Sequence, residues 1–92
     1  MNKGIKIYTY VFPCGQVFVG RTIRTLDYVH NYHKRCKISP IHDALKKLSH
    51  VYPKLESTIP LGTPLNEIYK IQRKIVYRYT TDPAKIINTN IK

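Results

Sequence analysis

A chain of 92 residues makes one domain spanning residues 1–92, near the small end of the size range in which a hydrophobic core alone stabilises a fold. Sixteen Lys and Arg face five Asp and Glu, a formal charge of +11 spread over the whole length, and such a field attracts polyanions, nucleic acid first among them. Two cysteines, Cys14 and Cys36, exclude a disulfide scaffold and lack the second pair of a zinc site, and no apolar run approaches the roughly 20 residues of a membrane helix.

In chain order, the opening MNKGIKIYTY enters a strand with no apolar leader core before it, so a cytoplasmic protein with free thiols is expected. Ile5, Ile7, Thr9 and Val11 alternate with Lys6, Tyr8, Tyr10 and Phe12, and Val17 and Val19 alternate with Gln16, Phe18 and Gly20. Period two with β-branched and aromatic residues marks two strands. Pro13, Cys14 and Gly15 between them make a short turn, where glycine supplies a positive φ. Thr22 or Thr25 caps a helix running to about Arg35, with Leu26, Val29, Tyr32 or His33, and Cys36 at helical intervals. It ends in the basic cluster His33 to Lys37.

Ser39 and Pro40 open a second helix as cap and first-turn proline, with Ile41, Ala44, Leu45 and Leu48 inward and His42, Asp43, Lys46 and Lys47 outward. Val51 to Ile59, interrupted by Pro53, reads as a short or edge strand. Thr63 and Pro64 repeat the cap device for the longest helix, to about Tyr79, whose apolar stripe is Leu65, Ile68, Ile71, Ile75, Val76 and Tyr79. The chain then turns at Asp82 and Pro83 and closes through Ile86, Ile87 and Asn88. The sum is an α+β domain: a small, mostly antiparallel three-stranded sheet flanked by about three helices. Frequent Lys, Ile, Asn and Tyr point to an AT-rich source such as a phage or a low-GC bacterium.

The hairpin carries a resemblance. Lys6-Ile7-Tyr8 and Phe18-Val19-Gly20, with the two aromatic positions ten residues apart and Gly15 at the turn, are similar to the paired triplets that open GIY-YIG nucleases. The segment SPIHDALKKL and the closing Ile86 to Asn88 also resemble that family, and the likeness extends over most of the chain. It implies a divalent metal held by a glutamate on the long helix, with the hairpin tyrosines and a first-helix arginine handling nucleophile and phosphate. Hard cations want carboxylate oxygens, and phosphate transition states want guanidinium.

By that resemblance Tyr8 fills the first tyrosine position, Phe18 the second without its hydroxyl, and His33 an aromatic or histidine position on the first helix. The arginine position falls on Tyr28 or Val29, and the glutamate position on Gln72. Gln72 also lies within the apolar stripe of the long helix. Glu67, five residues earlier and about 140° round that helix, is the one acidic substitute there, and a first-turn dipole role suits it better. His30 and His33, three apart on one helix, have no third metal ligand in register. Three altered chemical positions in a kept frame imply a catalytically impaired domain that binds nucleic acid, DNA foremost. Arg21, Arg24, Lys34, Arg35, Lys37, Arg73 and Lys74 are the expected phosphate contacts. No cofactor is expected, and Mg²⁺ only if an active metal-dependent endonuclease persists. The remaining alternative is a phage-type inhibitor or decoy that binds an acidic protein or an anionic nucleotide.

Overall fold

The structure, a computed structural model, describes residues 4–39, 41–48 and 50–87. It is an α+β domain whose three-stranded antiparallel sheet is ordered β2-β1-β3. Strand β1 is Ile5–Val11, β2 is Val17–Thr22 and β3 is Lys54–Ile59. Helix α1 covers Leu26–Arg35, α2 His42–Lys47 and α3 Leu65–Val76. Asn88 and Pro40, both part of the sequence reading, lie outside the described residues.

β1 is the axis of the domain because it is buried on both faces. On one face Ile7, Val17 and Val19 pack with Ile68, Ile75 and Val76 of α3 and with Ile86. On the other, Tyr8, Tyr10, Phe12 and Phe18 pack with Val29 of α1 and with Ile41 and Leu45 at α2. Alternation on the two hairpin strands therefore feeds two apolar layers, and the sheet sits between helices. At roughly 25 cal/mol per Å² of apolar surface, each large side chain so buried stabilises the fold by about 1.5–3 kcal/mol.

The hairpin register pairs Tyr8 with Gly20 and Tyr10 with Phe18. Its turn closes through Phe12 N–H to Gln16 O at 2.9 Å and Gly15 N–H to Phe12 O at 2.8 Å, with Gly15 at φ 91°. Gly20 is required for a different reason. A Cβ there would stand 2.3 Å from the phenol end of Tyr8, so only glycine lets the Tyr8 ring lie across β2.

Several local expectations are corrected. Of the two caps expected for α1, Thr25 is the one used, its Oγ1 accepting from Tyr28 N–H at 3.2 Å. Ser39 does not cap α2: no side chain caps that helix, and Ser39 Oγ is held by His33 instead. His42 is half-buried and its Nδ1 lies 3.3 Å from His33 O. Thr63 likewise does not cap α3. Its hydroxyl donates to Pro60 O at 2.6 Å. α3 stops at Val76, and Arg78 and Tyr79 continue in tighter turns bonded to Ile75 O and Val76 O. Leu65 and Tyr79 are exposed, so the buried stripe is Ile68, Gln72, Ile75 and Val76. β3 begins after Pro53 and is an edge strand. The chain then runs through a 3₁₀ turn at Pro83–Lys85 to Ile86, which bridges Val17 in parallel. No helix among the described residues is long and apolar enough to cross a membrane.

Gly20→Ala is expected to destabilise the domain by about 1–3 kcal/mol, the usual range for overpacking. In a Tyr8→Ala background the same substitution is expected to be near neutral, because the ring it strikes is gone. A double-mutant cycle by chemical denaturation checks this. Equal effects in both backgrounds contradict the contact.

Candidate functional site

The site grows from two tyrosines of β1 that point to one face and two histidines of α1 one turn apart. Tyr10 Oη lies 3.0 Å from His30 Nδ1, and Tyr8 Oη lies 3.0 Å from His33 Nε2. His33 Nδ1 in turn meets Ser39 Oγ at 2.6 Å. A phenol is a stronger acid than a serine hydroxyl, so Tyr8 O–H donates to Nε2 and Nδ1–H donates to Ser39; the tautomer is assigned on that ground. Around this chain the rings of Tyr8, Tyr10, Phe18 and His33 meet at centroid distances of 5.5–6.4 Å, Phe18 edge-on to His33 at 5.5 Å.

Burial sets the protonation states. It raises the Tyr8 phenol far above its ordinary value, with the Arg21 charge as a smaller opposing effect. It raises Tyr10 as well. His33 falls to about 4, mainly by burial and then through His30, and His30 is lowered by burial and Lys34. At neutral pH the Tyr8–His33–Ser39 chain therefore carries no charge. It can orient and donate one hydrogen bond, and it offers no phenolate to take a proton from water.

The positive charge comes from β2. Arg21 lies beside Tyr8 and holds three positions at once. Its guanidinium stands 5.4 Å from the Tyr69 ring centroid, and its Nη1 donates to Gln72 Oε1 at 3.4 Å. It also lines a cleft of about 240 Å³ with Tyr8, Thr22, Tyr28, Tyr32 and His33. Gln72 is 2 % exposed and also donates Nε2–H to Val19 O at 3.4 Å. The amide thus ties α3 to β2 and steers the arginine.

The sequence-derived residues divide accordingly. Tyr8 is hydrogen-bonded to His33 and Arg21 to Gln72, and Tyr8, His33 and Arg21 line one cleft. Phe18, at the second tyrosine position, does not line the cleft; it is buried, with its ring against those of Tyr8 and His33. Arg24 stacks on Tyr28 at 4.9 Å. Lys34, Arg35 and Lys37 are exposed at the end of α1 and just beyond, and Arg73 and Lys74 are exposed in the last turn of α3. None of Arg21, Arg24, Lys34, Arg35 and Lys37 has a carboxylate at ion-pair distance among the described residues. Glu67 is exposed and pairs with Lys70 at 3.6 Å.

Tyr28 and Val29, where the resemblance puts an arginine, do reach the cleft wall. The charge at that wall is supplied by Arg21 from the neighbouring strand. Sequence reasoning passes over Tyr28 as a cleft-wall residue because it seeks a basic side chain there. The four-residue spacing of Tyr28 and Tyr32 is the signal that could have found it.

The donor set does not fit a hard divalent cation. The buried oxygen at the glutamate position is a neutral amide that already accepts from a guanidinium, and that positive charge opposes a second cation beside it. Among the described residues no group of three or more His, Cys, Asp or Glu could hold a metal. A larger depression of about 540 Å³, with Phe12, Cys14, Asp43, Lys47 and Ile86 in its wall, contains none of Tyr8, Arg21 and His33. Its opposite charges, one carboxylate and one ammonium, give it no preference for an anion. No protein-family model, curated protein or solved structure matches the chain.

His33 makes a pH prediction. Its folded-state value of about 4 lies below the ordinary 6.5, so between those values the unfolded chain binds more protons and stability falls as pH falls. The full effect is on the order of 3 kcal/mol. Denaturation midpoints are expected to drop from neutral pH toward about 4, and His33→Gln is expected to flatten that slope. An unchanged slope in the variant contradicts the assignment.

Proposed function

We propose that the protein is a catalytically silent GIY-YIG-like domain of the cytoplasm that binds nucleic acid, DNA foremost, through the basic face around this cleft. The observation that carries the reading is the Arg21–Gln72 contact. At the place where the resemblance implies a carboxylate and a metal, the chain has an amide and a fixed guanidinium. A guanidinium beside two neutral hydrogen-bonding groups is suited to holding a phosphate. It supplies neither a Lewis acid nor an activated water. Phe18 further removes one hydroxyl that the resemblance would use, and burial keeps the Tyr8 phenol protonated.

Charge supports the same reading. A net +11 favours binding that depends on salt and discriminates little among sequences. Arg24, Lys34, Arg35 and Lys37 flank the cleft helix at its two ends and extend the positive surface along α1.

The test incubates supercoiled plasmid with the protein, with and without Mg²⁺ or Mn²⁺, and runs mobility-shift titrations at two salt concentrations. The expected result is a salt-sensitive shift without nicking. Metal-dependent nicking would establish an active nuclease instead, and no shift at all would move the target to an acidic protein or an anionic nucleotide. Neutralising Arg35 and Lys37 together is expected to weaken binding evenly across sequences and to lower the salt slope by about 1 for each phosphate left without its cation. Gln72→Glu is expected not to create cleavage, because the new carboxylate pairs with Arg21. Robust cutting by that variant contradicts the silent-site reading.

A further inference from the structure

The wall of the cleft carries more aromatic surface than phosphate binding needs. Tyr28 and Tyr32 stand four residues apart on one face of α1, both line the cleft, and they are 49 % and 47 % exposed. Neither belongs to the two buried clusters. The Tyr28 hydroxyl has no hydrogen-bond partner among the described residues, while the Tyr32 hydroxyl accepts only from Cys36 Sγ at 3.5 Å. Arginines lie beside these rings: Arg24 is 4.9 Å from the Tyr28 centroid, and Arg21 lines the same cleft. No carboxylate lines the cleft.

We propose that the strand taken by this cleft is single-stranded DNA, with successive bases stacking on Tyr28 and Tyr32 and the phosphates beside them held by Arg24 and Arg21. The inference rests on the nucleic-acid reading above and narrows it. Exposed rings with cations beside them form the usual platform for unpaired strands, because every base offers a π-face and the contact is indifferent to sequence. The spacing argues against a duplex. Four residues of helix separate the two tyrosines by about 6 Å along the axis, whereas stacked bases in a duplex repeat every 3.4 Å or so and keep their faces covered. Only an unstacked strand can present one base face to each ring.

Fluorescence-anisotropy titrations of a labelled oligothymidine and a labelled duplex of the same length, at one salt concentration, test the proposal. The single strand is expected to bind at least about tenfold more tightly. Tyr28→Ala and Tyr32→Ala are each expected to weaken single-strand binding by about 5- to 150-fold, the range for loss of one stacked base, with little change on the duplex. Tyr28→Phe and Tyr32→Phe keep the ring and are expected to bind as the parent does. Both positions are exposed, and thermal melting verifies that the variants fold. Tighter or equal duplex binding, with alanine variants unchanged on both probes, overturns the stacking proposal and leaves phosphate binding standing. No binding of either probe overturns the stacking proposal and the nucleic-acid reading together.

Discussion

Two hydrogen bonds between the central strand and the first helix, Tyr8 to His33 and Tyr10 to His30, set the geometry that the other elements follow. A buried phenol or imidazole without a partner costs about 1–3 kcal/mol, and here each satisfies the other. Partners two apart on a strand and three apart on a helix recur with the two elements' own periods. The pair of bonds therefore fixes both the rotation and the position of α1 over the sheet. Their aromatic bodies fill the same layer, so packing and polar satisfaction select one arrangement. Gly20 belongs to this constraint, since it leaves the space that the Tyr8 ring crosses.

Once α1 is placed, the cleft follows. Its floor is a hydrogen-bonded but uncharged chain, and its one buried polar support from α3 is an amide. The low-dielectric setting that would sharpen catalytic groups here keeps them neutral: His33 at about 4 and Tyr8 raised beyond reach. Charge remains only where solvent can stabilise it, on Arg21, Arg24 and the basic end of α1. Such a division, neutral inside and cationic at the rim, suits holding a polyanion more than transforming one.

The sheet and the hairpin are legible in the sequence because their signals are local. Alternation marks both faces of β1 and β2, Pro13 to Gly15 mark the turn, and the place of Gln72 in the stripe of α3 marks its burial. Ser39 and Thr63 look like caps because a hydroxyl before proline satisfies the local rule. In the fold His33 claims Ser39, and Pro60 O claims Thr63, and such competing partners are set by tertiary structure or by a turn outside the helix. Arg21 reads in the sequence as one basic residue among many, yet its fixed position depends on Gln72, 51 residues away. Phe18 matches Tyr8 in spacing and so reads as its partner position; the register sets it opposite Tyr10, and the cleft is lined without it.

Whether the cleft between β2 and α1 is the binding surface can be read directly by chemical-shift mapping of the ¹⁵N-labelled protein against an oligonucleotide. The largest perturbations are expected at residues 20–24 and 28–33. Perturbations centred on Phe12, Cys14 and Lys47 with the cleft unmoved, or none at all, would contradict a binding surface at the cleft.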